Sequence, residues 1–508
     1  MADRLYTSLE ADEKISALRA ATNLDKAIIS KLAFVYSLTT QGKNVPMSNN
    51  FSGGEMKRPT FVGNDEVFMR SLISLVYEQA DIDEQEFYSN HSIVKNHIDM
   101  GASLLWDLYR KNGENVSRWY SELVNSIQLL NGRELKTKDL DVFIGRNILN
   151  NDELIMGLND TSVHANSHLA IMGIPGVGKT QFLLKILADI RKQSEYQTNF
   201  IYFDYKGDVV DNETFINVTR SRTYKLLQGN EQLPISPFIL SDYNEQSVLL
   251  SAREKAESFA SINSAMGVVQ KGALTDAIIA GYTARQGEDY PFPDFNDISE
   301  IARRNYETDG KRDDTLIEVL RDLAQFDLFW SHGSVIPPLE KISNRSMIID
   351  LHKMPVLKEL VAYLIIERLY KEMSSLPDSK VKDGRRTIRT ILVIDEAHNY
   401  LCQKNLFLQK IIREGRSKGV VVFFASQSPS DYQQKFFDFQ ELLEFSYIFQ
   451  CQGTSASAIQ DILGCSNKTA KDLQTEIARL EPFQVIARGM NKTDEFVKFK
   501  AESFFKNY

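Results

Sequence analysis

The chain has 508 residues, 43% of them hydrophobic and 25% charged, a soluble globular composition too long for one ordinary domain. The net charge of −9 means that whole-molecule charge does not attract nucleic acid, so any such contact needs a local basic lining. Three widely spaced cysteines (Cys402, Cys451, Cys465) argue against a disulfide frame, histidines without ligand spacing argue against a zinc cluster, and no apolar run approaches the roughly 20 residues of a membrane span.

The charged start, "MADRLYTSLEADEK", lacks the apolar stretch of a signal peptide, and with the cysteine usage it predicts a cytoplasmic protein with no membrane contact. Residues 1–130 read as a helical N-terminal domain. "EADEKISALRAATNLDKAIISKLAFVYSL" carries Ile15, Leu18, Ile28, Leu32 and Val35 in helical spacing, and "DEVFMRSLISLVYEQ" sets Phe68, Leu72 and Val76 on one face. A turn-rich loop with Gly42, Pro46, Gly53 and Gly54 lies between them.

From about residue 139 the texture changes. "SHLAIM", "NFIYFD", "SMIID", "TILVID" and "GVVVFFAS" are short apolar runs that stop on polar or glycine residues. Separated by helices, such runs predict an α/β fold with a mainly parallel sheet covered on both faces. The strand signal vanishes between about 226 and 334, where the sequence reads as an all-helical insertion. The core is therefore expected at 139–225 and 335–508.

Gly173-Ile174-Pro175-Gly176-Val177-Gly178-Lys179-Thr180 fits G-x-x-x-x-G-K-[ST]. It follows the run "LAIM" and opens an amphipathic helix at Gln181, the context that a phosphate-binding loop requires. Its amides would wrap a phosphate at a helix N-terminus, with Lys179 on the β/γ-phosphates and the Thr180 hydroxyl on Mg²⁺. Asp395 and Glu396 end the buried run "ILVI"; the expectation is that Asp395 holds Mg²⁺ through water and Glu396 polarises the attacking water, so ATP is hydrolysed. From Lys179 to Asp395 is 395 − 179 = 216 residues, so the helical insertion and extra strands must lie between.

In "REGRSKGVVVFFASQSPSD" an apolar run ends on Gln427. At the carboxyl end of a strand beside the acid-tipped one, Gln427 would meet the γ-phosphate or the attacking water; otherwise it is a polar strand end satisfied by backbone. Arg416, at a helix end, falls on a surface away from its own phosphates. It is either a finger lent to a neighbouring subunit or a cation complementing the helix dipole, and Arg413 is the rival finger. "KDGRRTIR" reads as a solvated loop, Trp106, Trp119 and Trp330 as core aromatics, and Lys271 as a solvated position whose alternative is a pore.

These pieces carry a resemblance. "NSHLAIMGIPGVGKT", "FDYKGD", "LPISPF", "MIIDLHKMP", "LVIDEAHNYL", "REGRSKGVVVFFASQSPSD" and "LEPFQVIARG" resemble, in order and spacing, the HerA/FtsK superfamily of ring-forming DNA motors, the HerA branch in particular. The resemblance implies a RecA-like P-loop NTPase core, a homo-hexamer around double-stranded DNA, and ATP with Mg²⁺ at subunit interfaces. It puts Arg416 at the arginine-finger position, Gln427 at the sensor position, and Asp208 where relatives often carry a glutamate near the nucleotide. "RLYTSLEADEKISALRAATNLDKAIISKLAFVYSL" is similar to the start of DndE-type proteins of DNA sulfur-modification systems, small helical proteins linked to DNA. The pairing implies a prokaryotic DNA-processing or antiviral defence system. With no nuclease constellation in the sequence, cutting would fall to a partner nuclease or other effector. The alternative is an ATP-gated ring scaffold that assembles an effector without translocation; a coupling ATPase of conjugation is disfavoured by the missing membrane anchor.

Overall fold

The computed structural model describes residues 4–508 except 78, 80–81, 117–118, 121–122, 124–135, 228–230, 264, 335, 355–356, 440–441 and 489–495. The chain divides into two compact units, Met1–Glu134 and Leu135–Tyr508.

In the first unit, helices α1 (Leu9–Thr22), α2 (Lys26–Gln41), α3 (Glu66–Tyr77) and α4 (Ile93–Lys111) enclose one apolar cluster. A short antiparallel ribbon of Arg4–Tyr6 and Glu55–Lys57 closes it. Ser8 and Ser92 cap α1 and α4 by accepting the Ala11 and Lys95 amides. The buried row of α2 is Ile29, Ala33, Phe34 and Leu38, whereas Ile28 is 46% exposed; Met69 and Ile73 are buried on α3, and Phe68 is 60% exposed. Apolar residues stand at adjacent positions on both helices, so periodicity alone does not fix which row turns inward.

The second unit is built on a sheet of eleven strands. In chain order they are β1 (Asp141–Asn147), β2 (Glu153–Gly157), β3 (Leu169–Met172), β4 (Asn199–Asp204), β5 (Arg222–Tyr224), β6 (Met347–Asp350), β7 (Thr390–Ile394), β8 (Val420–Ser426), β9 (Phe445–Ile448), β10 (Gln484–Arg488) and β11 (Phe496–Ala501). The spatial order is β2-β1-β11-β10-β9-β3-β8-β7-β4-β6-β5. From β9 to β5 all pairings are parallel, and β10, β11, β1 and β2 add an antiparallel flank.

Alternation along the central strands explains their all-apolar sequences. Met172, Phe203, Ile394 and Phe424 feed the cluster on one face, and Ile171, Tyr202, Val393 and Phe423 the cluster on the other. Helix α5 (Lys179–Gln193) covers the second face through Phe182, Leu183, Ile186 and Ile190. On the first face lie α6 (Glu245–Ile262), α7 (Val268–Ala284), α8 (Phe295–Thr308), α9 (Thr315–Phe326), α10 (Lys358–Ser375) and α11 (Leu406–Lys418). Helices α6 to α9 are the helical stretch between β5 and β6. Their Phe259, Phe295 and Leu320 share one core with Ile349 of β6, so the stretch is cemented onto the sheet. Trp119 and Trp330 are buried.

Candidate functional site

Parallel strands deliver the segments that follow them to one edge of the sheet. Adjacent in space are β3, β8, β7 and β4, so the segments after Met172, Ser426, Ile394 and Asp204 converge there. They carry the phosphate-binding motif, Gln427, the Asp395–Glu396 pair and the loop "YKGD".

The glycine-rich loop turns from β3 into α5. Gly173 N donates to Ser426 O at 3.2 Å and Ile174 N to Gln450 O at 2.9 Å, anchoring its start. Gly176 has φ +85° and open space where a Cβ would be, and Gly178 has φ +106° with the Phe483 ring 2.6 Å from its would-be Cβ. Both positions use the left-handed freedom of glycine. Phe483 is itself at φ +64°, and its amide donates to Val177 O at 2.9 Å, so the segment before β10 braces the loop from behind. Lys179 is buried, its Nζ donating to the loop carbonyls of Gly173 and Ile174. Burial, with the charge of Lys206 nearby, pulls its pKa below the usual lysine range. Pro175 and Gly176 face solvent, Val177 is buried, and Thr180 is half-buried. Gln181 Oε1 accepts the Phe505 amide at 3.2 Å, which commits that side chain to the C-terminal helix.

Asp395 is 1% exposed. Burial pushes its carboxyl up to about 6, against the opposing charge of Lys206. Its Oδ2 accepts the Tyr202 hydroxyl at 3.3 Å, and its Oδ1 accepts the Glu396 amide at 2.9 Å. Glu396 sits at φ +48°, a conformation few non-glycine residues adopt. Its carboxylate is ion-paired with Lys206, accepts Gln427 Nε2 at 3.1 Å, and lies 3.3 Å from His398 Nδ1. Burial works to raise the Glu396 pKa, but Lys206 and Gln427 outweigh it and hold the group below its ordinary value.

Lys206, Tyr202, His398 and Phe483 are the site residues that sequence reasoning did not single out. Asp204, at the end of β4, accepts the amides of Lys206, Gly207, Val209 and Val210 at 3.1, 2.8, 2.8 and 2.9 Å. That wrapping turns Lys206 toward Glu396 and leaves Asp208 exposed. The lysine two positions before Asp208 was the available signal.

The two arginines stand elsewhere. Helix α11 runs back against β8, so its last turn lies at the amino end of that strand, about 20 Å from Gln427 at a rise of roughly 3.3 Å per residue. Arg416 is exposed there beside Arg386, and Arg413 lies over the Phe437 ring at 4.8 Å. Neither reaches the phosphate loop of its own chain. Lys271 is ion-paired with Glu257 at 2.8 Å. Among the described residues, Asp294, Asp297 and His332 form a compact acid–imidazole group, but Arg285 occupies Asp297 and backbone groups occupy the rest. No described helix is long and apolar enough to cross a membrane.

Residues 4–111 match the family model of DNA sulphur modification protein DndE. No curated protein matches the chain. Among solved structures, VirB4 of Thermoanaerobacter pseudethanolicus is similar with a TM-score of 0.53 at 14% identity, covering 71% of this chain and 96% of that one. The plasmid coupling protein TrwB in complex with ADP and Mg²⁺ scores 0.43 at 15% identity, covering 66% and 85%. DndE from Escherichia coli B7A, involved in DNA phosphorothioation modification, scores 0.16 at 17% identity, covering 21% and 99%. The chain thus joins a segment that matches the DndE family model to a P-loop fold similar to that of VirB4.

Proposed function

We propose that the chain hydrolyses MgATP in a ring of identical subunits, six by the HerA resemblance, and uses the cycle to move double-stranded DNA for a partner nuclease or other effector. The observation that carries this is the convergence of Lys179, Asp395, Glu396 and Gln427 on one sheet edge, from strands far apart in sequence. The edge suits a nucleotide: there is open space at the Gly176 turn, a buried lysine donates to loop carbonyls, and a buried carboxylate has a tyrosine hydroxyl and an amide as partners. Residues 173–181 would hold the phosphates, Thr180 and Asp395 the Mg²⁺, and Gln427 would orient water toward Glu396. A bound Mg²⁺ would supply charge neutralisation between the β- and γ-phosphates.

Arg416, exposed at the opposite edge of the sheet, is suited to complete a neighbour's pocket, with Arg413 less so because Phe437 already occupies it. Asp208 is left as a solvent-facing acid near the nucleotide. The segment matching the DndE family supports a DNA-related role. The test is steady-state ATP hydrolysis with and without double-stranded DNA. Lys179→Ala is expected to abolish turnover, and Arg416→Ala to lower it by about 10³-fold while leaving nucleotide binding intact. Normal hydrolysis by Arg416→Ala in the assembled state overturns the trans role, and a wild-type rate indifferent to DNA favours the ATP-gated scaffold.

A further inference from the structure

Lys206 is a second lysine at the phosphate edge, contributed by the strand next to the acid-tipped one rather than by the glycine-rich loop. Three observations define it. Its Nζ pairs with Glu396, the carboxylate best placed to polarise water. Its position is built, because Asp204 spends both carboxylate oxygens on the four amides that fold the loop around it. It remains about a third exposed at the side chain, while Lys179 and Asp395 beside it are buried, so it is the cation here with room to move. With the Lys206 ammonium on Glu396 Oε1 and Gln427 Nε2 on Oε2, both carboxylate oxygens are engaged, so one partner must leave before Glu396 can take a hydrogen from water.

We infer that Lys206 is a γ-phosphate-responsive positioning residue: it holds Glu396 in the nucleotide-free protein and swings to the terminal phosphate of a triphosphate, releasing Glu396 toward water. This rests on the ATPase reading. A terminal phosphate oxygen offers Lys206 a more highly charged partner than one carboxylate shared with Gln427 and flanked by His398. A diphosphate ends short of Lys206 and leaves the clamp closed. The consequence is discrimination between tri- and diphosphate that Lys179, reaching the loop, does not supply alone.

The experiment is equilibrium binding of a fluorescent non-hydrolysable ATP analogue and of the matching ADP, each with Mg²⁺, to the full chain. Wild type is expected to prefer the triphosphate. Lys206→Ala should weaken the analogue by about tenfold or more while ADP changes by no more than about twofold. Lys206→Arg should restore part of the preference, and Glu396→Gln, which removes the clamp's partner, should keep or increase it. Equal losses for both nucleotides, or none for either, overturn the inference, because a structural brace does not distinguish them. If wild type binds neither nucleotide and Lys179→Ala behaves like wild type, the ATPase reading falls as well.

Discussion

His168 shows how one side chain couples the site to the helix behind it. It precedes β3, and its fully buried ring accepts the Val422 amide at Nδ1 (3.0 Å) and donates from Nε2 to Ile412 O (2.9 Å) on α11. The bond accepted at Nδ1 needs the neutral ring, and burial pulls its pKa down to about 4, against the opposing bond to Ile412. The folded state therefore takes up its proton later than the unfolded chain. The stabilisation is complete above the ordinary histidine pKa of 6.5 and is lost as pH falls toward 4. Between pH 7 and 5 the loss is about 2 kcal/mol. In His168→Gln the acid-induced drop in unfolding midpoint should be visibly smaller; an unchanged slope contradicts the assignment. The remaining slope has a source in His97, likewise lowered to about 4 by burial. At this scale the sequence was legible in placement where a motif follows a strand, as with Lys179, Thr180 and the Asp395–Glu396 pair, which the adjacent strands bring to one edge. It was not legible at Lys206, because only the amide wrapping by Asp204 decides which residue of "DYKGD" turns inward.

Among elements, the phosphate loop owes its shape to chain more than 300 residues away. The Phe483 ring fills the space beside Gly178, and the amide of Phe483 holds Val177. Phe483→Ala is expected to leave the sheet intact and weaken nucleotide binding by roughly tenfold, because a loosened loop must be ordered by its ligand. Unaltered binding by titration would show that the brace is dispensable. The parallel strands were readable as uninterrupted apolar runs, the mark of strands covered on both sides. The antiparallel flank of β10, β11, β1 and β2 carries no such mark, since pairing between β1 and β11 joins residues such as Asn147 and Phe499 that no local pattern connects. Ile28 and Phe68 point the same way: a helix can be read before the row it buries can.

For the molecule as a whole, every described contact of the candidate site lies within Leu135–Tyr508, while the segment matching DndE lies in the other unit. If Arg416 serves a neighbour, two inactive variants should complement. Mixing Arg416→Ala with Lys179→Ala should recover a measurable fraction of wild-type hydrolysis, because some pockets then combine an intact phosphate loop with an intact arginine; activity no greater than the sum of the separate variants counts against sharing. Gln427 and Arg416 also stand at opposite ends of one strand. If Arg416 is a plug and the Gln427 edge its socket, no copy can complete its own pocket; each takes its arginine from another, reciprocally across a twofold axis or head to tail around a ring. An open head-to-tail row would leave an unfinished pocket at its terminus, so every copy has the same chemistry only where the assembly is closed by symmetry.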